Sequence, residues 1–184
     1  MPSDQLTELA TLASSYAPRG PAPVHLWDPP FCGDLDIVIK RDGSWLHEGR
    51  PIRRRELVKL FSSILKKEDD RYYLVTPTEK VGITVERCPF IIVGMDVSQQ
   101  NGDQIIRFHT STDEQVIADS EHHLAVEERG GDDFPLPVIH VRDGMTGLLS
   151  RAVFYRLAEI AVEHEVKETP RLGVFSSGIF FPLD

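Results

Sequence analysis

The spacing of apolar and polar residues between Trp27 and Glu86 predicts a strand, a hairpin turn and a second strand. Apolar side chains alternate with mostly polar ones over residues 35–40, which is the period of a strand with one buried face. Asp42-Gly43 predicts the turn, because glycine and, less readily, aspartate accept the positive φ of tight hairpins. The second strand continues through Trp45-Leu46.

An amphipathic helix is predicted next, followed by a second hairpin. One face of the helix carries apolar residues at i, i+3, i+4, i+7 and i+8, namely Leu57, Leu60, Phe61, Ile64 and Leu65. We expect the charged residues 66–70 to leave the core for solvent. The β-rich runs 72–76 and 81–86 then form the hairpin, with residues 77–80 as its connection.

A looser copy of this order returns near the end of the chain. Residues 138–144 (VIHVRDG) match residues 37–43 (IVIKRDG), and Ser150 is a suitable cap for a second helix that should run to about His164. Residues 172–183 predict a closing hairpin with a Ser-Gly turn. Internal duplication explains the shared order. The alternative is that both halves merely use common β-β-α building blocks.

The other segments are predicted from the same kinds of pattern. Residues 3–16 have helical spacing with Ser3 or Asp4 as a cap, and the proline-rich residues 17–23 predict a linker. The nearly all-apolar run 89–97 predicts a strand that is covered on both faces. The remaining predictions are a turn at Gln99–Asp103, a strand at 104–110, short strands at 116–118 and 124–126, and a loop at 130–133.

These elements together predict an α+β protein of two topologically related small domains, each with antiparallel β-sheet and one helix. The predicted organisation is an N-terminal helix and linker at 1–23, a first domain at 24–88 and a second domain at 89–184. The composition agrees with a folded chain, since 41% of the residues are hydrophobic and 27% are charged.

Composition also predicts where the protein is found. No apolar run reaches the roughly 18–20 residues that a membrane-spanning helix needs. The first thirty residues lack the apolar core of a signal peptide. The two cysteines, Cys32 and Cys88, do not have metal-site spacing. We therefore expect a cytoplasmic protein with free thiols and no association with membranes.

The charge of the chain is unevenly distributed. Residues 1–90 carry 13 basic and 13 acidic side chains, whereas residues 91–184 carry 7 and 16. The acidic second half would repel phosphate backbones, which argues against a nucleic acid polymer as a partner. A small anion could still bind to the basic cluster of the first half, which consists of Arg50, Arg53, Arg54, Arg55 and Lys59.

Several of these segments resemble a bacterial family described as domain of unknown function 1285. The residues that carry the resemblance are PFCGDLDIVIKRDG, LVKLFSSIL and YYLVTPTEKVGI in the first half, and VIHVRDG, AVFYRL and GVFSSGIFFPL in the second. The resemblance implies two duplicated α+β units, the second superficially like a pleckstrin-homology fold. It also implies a cleft between the units for a nucleotide-like ligand and a role in signal transduction. It carries no catalytic residues over to this chain.

Candidate ligand contacts cluster at two connections of the first half. Gly33 would allow close backbone approach at a turn before the first strand, where Cys32 and Asp34 add a thiol and a carboxylate. The alternative is that Cys32 is a small buried hydrophobe and Asp34 a turn residue. Lys80 could bind a phosphate, and Glu79 a ribose hydroxyl or a buried arginine. Both could instead belong to a solvated hairpin loop.

Arg53, Arg54 and Arg55 open the predicted first helix, and Lys59 lies one turn further along it. Free backbone N–H groups and guanidinium groups both favour an anion at a helix N-terminus. Three consecutive arginines span most of a turn, so at most two can face one ligand. A mostly solvated cluster is the alternative.

The second half adds two candidates and one doubtful metal site. Arg142 and its counterpart Arg41 precede equivalent turns, and each could pair with surface carboxylates, help to hold the two units together or face the cleft from its own copy. His140 occupies the position of Ile39 in the other copy, so it is either hydrogen-bonded in the core or exposed to the cleft. Residues 121–123 (EHH) raise a metal site, but adjacent histidines on a strand point to opposite faces and no metal-binding spacing supports it. We predict neither a metal nor a cofactor.

No P-loop, dinucleotide fingerprint or Gly-x-Ser-x-Gly motif occurs in the chain. Following what the resemblance implies, the leading hypothesis is a non-enzymatic binding protein with a small anionic, nucleotide-like ligand in the cleft between the two units and a role in signal transduction. One alternative is an adaptor that binds another protein through an open sheet edge or the acidic second half. The other is a hydrolase of a small phosphoester.

Overall fold

The computed structural model describes residues 2–16, 20–127 and 136–184, with the side chains of the first helix described from Leu6 to Ser15. The chain divides into two compact units, Met1–Arg87 (unit 1) and Cys88–Asp184 (unit 2). Unit 1 contains α1 (Pro2–Tyr16), a short 3-10 helix (Val24–Leu26), β1 (Phe31–Ile39), β2 (Trp45–His47), β3 (Arg50–Pro51), α2 (Arg55–Ser63), β4 (Leu65–Glu68), β5 (Arg71–Val75) and β6 (Lys80–Val85).

The six strands of unit 1 form one mixed sheet in the order β3-β2-β1-β6-β5-β4. β1 and β6 are parallel, and all the other neighbouring pairs are antiparallel. β1 is irregular, because its register with β6 shifts on both sides of Asp34. Gly33 lies at the first of these irregularities with φ of 100°, a conformation in which most other residues are strained.

One face of this sheet packs against α2, as the hydrophobic patterns predict. Leu35, Ile37 and Ile39 of β1 are all buried. Phe61 of α2 is fully buried and stacks on Trp45 of β2, with ring centroids 6.5 Å apart. The apolar stripe of the helix therefore meets the apolar face of the strands.

The connection after α2 differs from the prediction. The helix ends at Ser63, so Ile64 and Leu65 lie beyond it although both are fully buried. The prediction that residues 66–70 leave the core for solvent is wrong for residues 66–68, which belong to β4 and are half-buried, and is confirmed for Asp69 and Asp70, which form an exposed turn. Charged side chains suit a strand at the edge of a sheet, where one row of backbone groups lacks a neighbouring strand.

Unit 2 contains one helix and nine strands in its described residues. They are β7 (Phe90–Gln100), β8 (Asp103–Thr110), β9 (Gln115–Ile117), β10 (Leu124–Glu127), β11 (Leu136–Arg142), β12 (Met145–Leu149), α3 (Arg151–Glu159), β13 (Val162–Val166), β14 (Thr169–Ser176) and β15 (Ile179–Pro182). Six strands form a sheet in the order β10-β11-β12-β7-β8-β9, with β12 parallel to β7. The last three strands form a separate antiparallel sheet.

Ser150 caps α3 as predicted, since the backbone N–H of Val153 donates to its hydroxyl oxygen at 3.4 Å. The predicted end of this helix near His164 is wrong. The helix stops at Glu159, and His164 belongs to β13, whose valines favour a strand. The short strands predicted around residues 116–118 and 124–126 are confirmed as β9 and β10.

The prediction that residues 89–97 are covered on both faces is also wrong. Phe90, Ile92 and Met95 are buried, whereas Val93 and Val97 are 55% and 42% exposed. The turn after this strand is shorter than predicted, because only two residues separate β7 from β8. The loop predicted at residues 130–133 lies outside the described residues.

The duplicated α+β fold is confirmed by the order of elements in the two units. A hairpin, a nine-residue helix and a three-stranded antiparallel meander follow one another in each. These elements are β1-β2, α2 and β4-β5-β6 in unit 1, and β11-β12, α3 and β13-β14-β15 in unit 2. The copies share the order of their elements, and they differ in which strand pairs with the hairpin.

Candidate functional site

Seven side chains meet on the face of the unit 1 sheet that points away from α2. We call them the polar face: Phe31 and Asp34 of β1, Lys66 and Glu68 of β4, Arg71 and Tyr73 of β5, and Lys80 of β6. The registers of β4, β5, β6 and β1 place Lys66 opposite Tyr73, Tyr73 opposite Gly82, and Gly82 opposite Asp34. Residues directly opposite each other in a ladder share a face, so the strand pairing itself brings this set together.

Two lysines of the polar face share one carboxylate. The ammonium groups of Lys80 and Lys66 lie 2.9 and 3.0 Å from the two carboxylate oxygens of Glu68. All three side chains are largely withdrawn from solvent, at 17%, 20% and 32% exposed. The Lys80 ammonium also lies 5.1 Å from the centroid of the Tyr73 ring. Asp28 adds a further electrostatic attraction to Lys80, so the positive charge of the two lysines is shared between Glu68 and Asp28.

The ion pairs keep these groups charged near neutral pH. The hydrogen bond from Lys80 lowers the pKa of Glu68, burial opposes that shift, and the hydrogen bond from Lys66 lowers the pKa further. The same hydrogen bond with Glu68 raises the pKa of Lys80, again against an opposing effect of burial. Each shift favours the charged form of its group.

An aromatic and cationic surface lies beside the lysines and is more open to solvent. The Arg71 guanidinium is 2.8 Å from the Asp34 carboxylate, and both side chains are more than half exposed. The guanidinium carbon is 5.7 Å from the ring centroid of Phe31 and 5.4 Å from that of Tyr73. The Phe31 ring is half exposed and meets Tyr73 edge-on, with centroids 6.1 Å apart.

Gly82 leaves room for this arrangement. A Cβ at this position would lie 2.0 Å from a carboxylate oxygen of Asp34 and 3.2 Å from the Arg71 guanidinium. The bare backbone of β6 therefore allows the Asp34–Arg71 pair to cross the strand.

Asp34 and Lys80 both belong to the polar face, and both lie in strands where we predicted connections. Cys32, Gly33 and Asp34 lie within β1, whereas we predicted a turn before the strand. Cys32 is exposed and its thiol donates to a backbone carbonyl at 3.3 Å, so the alternative of a buried hydrophobe is also wrong. Lys80 begins β6, and Glu79 lies in the preceding connection, where its backbone N–H donates to a threonine hydroxyl at 3.1 Å.

The predicted cluster of arginines lies at the start of α2 and is not part of the polar face. Arg54 is the N-cap of α2 and Arg55 its first residue, as expected, and the Arg54 side chain makes no capping bond. Lys59 pairs with Glu56 within the helix at 3.3 Å. Arg53 and Arg54 are exposed and have no ion pair among the residues that the structure describes.

The two arginines that precede the equivalent turns have different surroundings. The Arg41 side chain is exposed, and its backbone N–H donates to the Glu86 carboxylate at 3.0 Å. Arg142 is only 13% exposed and binds both carboxylate oxygens of Glu114, at 2.9 and 3.4 Å. Arg142 therefore pairs with carboxylates as predicted, including the more exposed Asp143 at 3.8 Å, but its main pair with Glu114 is largely buried and does not lie on the surface.

His140 is hydrogen-bonded through both ring nitrogens within unit 2. Its Nδ1 donates to the Glu121 carbonyl at 2.9 Å, and its Nε2 accepts from the Gly144 backbone N–H at 3.2 Å. Nearby, His122 Nδ1 is 3.2 Å from the Asp119 carboxylate. In the described parts of both units, no group of three or more His, Cys, Asp or Glu side chains is arranged to hold a metal ion.

Most members of the polar face were missed by the sequence analysis, namely Phe31, Lys66, Glu68, Arg71 and Tyr73. They were missed because the charged residues of β4 were predicted to form a solvated connection and not a strand. The alternation of Lys66 and Glu68 with Lys67 was the available signal, because residues two apart on a strand share a face. Their meeting with Asp34 depends on the β1–β6 pairing, which no local pattern predicts.

Comparison with known proteins identifies the family. A model of the DUF1285 N-terminal domain matches residues 22–88, and a model of the DUF1285 C-terminal domain matches residues 89–183. This chain belongs to the DUF1285 family. Both matching models are described as domains or proteins of unknown function.

Two solved structures of DUF1285 family proteins are similar to this chain. The one from Silicibacter pomeroyi DSS-3 is 44% identical with a TM-score of 0.85, and the match covers 95% of this chain and 93% of that chain. The one from Shewanella baltica OS155 is 27% identical with a TM-score of 0.54, covering 68% and 91%. A search of curated proteins gave no match. Among the described residues of this DUF1285 protein, no helix is both long enough and apolar enough to cross a membrane.

Proposed function

We propose that this DUF1285 protein is a non-enzymatic binding protein for a small anionic ligand of the nucleotide class, which binds on the polar face of unit 1. One observation carries the proposal: two mostly buried lysines share a single glutamate beside a half-exposed aromatic ring. A protein that binds such a ligand without converting it suits a role in signal transduction.

The lysines supply the attraction for the anionic part of the ligand. Each ammonium group has three donors, and Glu68 occupies one donor of Lys80 and one of Lys66. Lys66 also donates to the Trp27 carbonyl, so a phosphate can accept from two remaining donors of Lys80 and one of Lys66. Because both lysine side chains are at most 20% exposed, this attraction is screened less than it would be on an open surface.

Phe31 and Arg71 supply a surface for the flat part of the ligand. A nucleobase can stack on an aromatic ring or on a guanidinium plane, and such stacking does not depend on the identity of the base. Arg71 is already held against Phe31 and Tyr73 by its ion pair with Asp34. The ring and the guanidinium therefore already lie side by side at positions where a base could stack.

The chemistry of the polar face favours binding over hydrolysis. Its two carboxylates, Asp34 and Glu68, are both engaged in ion pairs. The pKa of Glu68 is lowered, which makes its carboxylate a weak base and leaves it without a proton to donate near neutral pH. The seven side chains include no serine, cysteine or histidine that could act as a nucleophile or proton shuttle.

The test is thermal denaturation of the full chain with inorganic phosphate and with mono-, di- and cyclic nucleotides. A ligand at about 100 times its Kd should raise the free energy of unfolding by about 2.7 kcal/mol. Phosphate alone should give a smaller shift than a nucleotide, because it lacks a base to stack on Phe31. No response to any nucleotide at millimolar concentration would overturn the proposal.

Matched variants locate the site. In Lys80→Met the Glu68–Lys66 pair remains, so the fold should persist while the nucleotide response is lost. In Phe31→Ala the response to nucleotides should fall to that of phosphate. The control is the double variant Arg53→Gln/Arg54→Gln, which removes two exposed cations outside the polar face. If the control loses the response and Lys80→Met keeps it, the ligand binds at the start of α2 and the proposed site is wrong.

A further inference from the structure

The strand β13 in unit 2 is an open edge. It pairs with β14 and has no second neighbour in the β13-β14-β15 sheet. Four of its five residues are exposed. In the described part of the chain, no hydrogen bond joins its outer side to another segment. Such a row of unpaired backbone groups can accept an added strand.

The two faces of β13 differ in chemistry. Glu163 and Glu165 are exposed on one face, and neither carboxylate has an ion pair or hydrogen bond among the described residues. Val162 and His164 lie on the other face, where Val162 is 47% exposed. An added strand would therefore meet carboxylates on one side and Val162 with the His164 ring on the other.

His164 is part of a fixed aromatic cluster. Its ring centroid lies 4.9 Å from that of Phe175 and 4.8 Å from that of Phe180, and these two are 5.1 Å apart. Phe180 also lies over the bare backbone of Gly173, because a Cβ there would be 2.6 Å from its ring. Gly173 is opposite Val162 and Arg171 is opposite His164, so the aromatic cluster and Val162 share one face with the Arg171–Asp184 ion pair.

A second copy of this chain is a poor occupant for the edge. The sequence of β13 is VEHEV, and antiparallel self-pairing about His164 would place Glu163 opposite Glu165 of the other copy at both positions. Like charges directly opposite each other destabilise a strand pair. A strand with lysine or arginine at these positions would instead place opposite charges together. The acidic excess of residues 91–184 would attract such a strand from a distance.

We propose that β13 is a docking strand for an extended, basic segment of a partner protein. The segment adds a fourth strand to the β13-β14-β15 sheet. Its lysine or arginine side chains lie opposite Glu163 and Glu165, and the apolar side chains between them lie beside Val162 and the aromatic cluster. This site is independent of the anion site proposed in unit 1.

The test is fluorescence anisotropy of labelled peptides with the full chain. The probe is a capped peptide of alternating lysine and valine, about eight residues long so that it spans the five residues of β13. A peptide with the same composition but with its lysines and valines in separate blocks is the sequence control. We expect saturable binding of the alternating peptide, weaker binding at high salt, and little binding of the block peptide.

Charge reversal on the edge should change which peptide binds. Glu163→Lys/Glu165→Lys should weaken binding of the lysine-valine peptide about tenfold, from the loss of two opposite-charge pairs. The same variant should gain binding of an alternating glutamate-valine peptide. The matched control is Glu159→Lys/Glu168→Lys, which makes the same charge change on both sides of β13 and should retain wild-type affinity.

Each contrary result is decisive. Equal weakening in the control variant, or equal binding of the block peptide, would mean that net charge alone attracts the peptide, and the docking strand would be rejected. Changes in backbone amide NMR chemical shifts on addition of the peptide locate it on the chain, and changes confined to residues outside 162–166 and the paired residues of β14 would overturn the proposal. Self-association of the wild-type chain that Glu163→Lys/Glu165→Lys alters would make a second copy the occupant and would also overturn the proposal.

Discussion

The strand that follows the helix lies at the edge of its sheet in both units, but its charge and its contacts differ. In unit 1, Lys66 of β4 binds Glu68 and also donates to the Trp27 carbonyl at 3.3 Å. In unit 2, Glu163 and Glu165 of β13 have no such contacts among the described residues. The two units thus share one order of elements. The edge strand β4 of unit 1 is basic and its side chains contact neighbouring residues, whereas the edge strand β13 of unit 2 is acidic and its glutamates make no such contacts among the described residues.

The pairing of the last strand explains why only unit 1 has a polar face. In unit 1, β6 pairs in parallel with β1 and joins the meander to the hairpin in one sheet. In unit 2, β15 pairs with β14 alone, and β7 is the parallel neighbour of β12. The Asp34–Arg71 and Phe31–Tyr73 contacts need β1 next to β6. The same order of elements therefore yields a candidate ligand surface in one unit and an open edge in the other.

The largest expected difference in the free energy of unfolding is between variants of Arg142 and Arg41, the two arginines that precede equivalent turns. Arg142→Met removes a largely buried ion pair in which Arg142 binds both carboxylate oxygens of Glu114, so we expect a loss of about 3 kcal/mol in the free energy of unfolding. Arg41→Met should cost under about 1 kcal/mol, because Arg41 is exposed. Urea denaturation measures both values. The double variant Arg142→Met/Glu114→Met should recover part of the loss, and similar losses at Arg41 and Arg142 would contradict the contrast.

A smaller contrast concerns the helix caps. Ser150 caps α3, whereas the Arg54 side chain makes no capping bond for α2. Ser150→Ala should lower the free energy of unfolding by about 1 kcal/mol, and Arg54→Ser should raise it by a similar amount. Chemical denaturation of the two variants checks the signs. Loss of stability in Arg54→Ser would mean that the arginine has a structural role that a serine cap does not replace.

A pH effect should distinguish the edge of unit 1. The folded pKa of Glu68 is below its ordinary value of 4.5, so its stabilising contribution is complete above that value and is lost as the pH falls through the folded pKa. Glu68→Gln should remove this part of the acid dependence, amounting to under about 1 kcal/mol. Denaturation curves of both proteins between pH 3 and 7 measure it. Parallel curves over that whole range would show that Glu68 is not a source of the dependence.

The smallest contrast is between two strand glycines. A Cβ at Gly82 would displace the Asp34 carboxylate, whereas a Cβ at Gly94 in unit 2 would make ordinary contacts of 3.6–3.9 Å with His109. Gly82→Ala should cost only about 0.5 kcal/mol, because the exposed Asp34 can move away from Arg71. Gly94→Ala should be close to neutral. Crystal structures of both variants would reveal whether the Asp34–Arg71 pair separates in the first alone.

Some features of the site could be predicted and others could not. Lys80 and Asp34 were candidates because each lies near a strand end and carries a charge. Their partners were missed because a run of lysine and glutamate is equally consistent with a solvated connection and with an edge strand. Arg142 was misplaced for a related reason, since its burial depends on Glu114, which is 28 residues earlier in the chain.

The sequence by itself determined the elements whose causes are local. Alternation in β1, the apolar stripe of α2, the cap at Ser150 and the paired turn residues each follow from side-chain periodicity or from backbone conformation within a few residues. Only the tertiary structure decided that β6 lies beside β1 and that β13 has a single neighbour. Those pairings depend on the relative free energies of contacts between distant segments, and one order of elements is compatible with both outcomes.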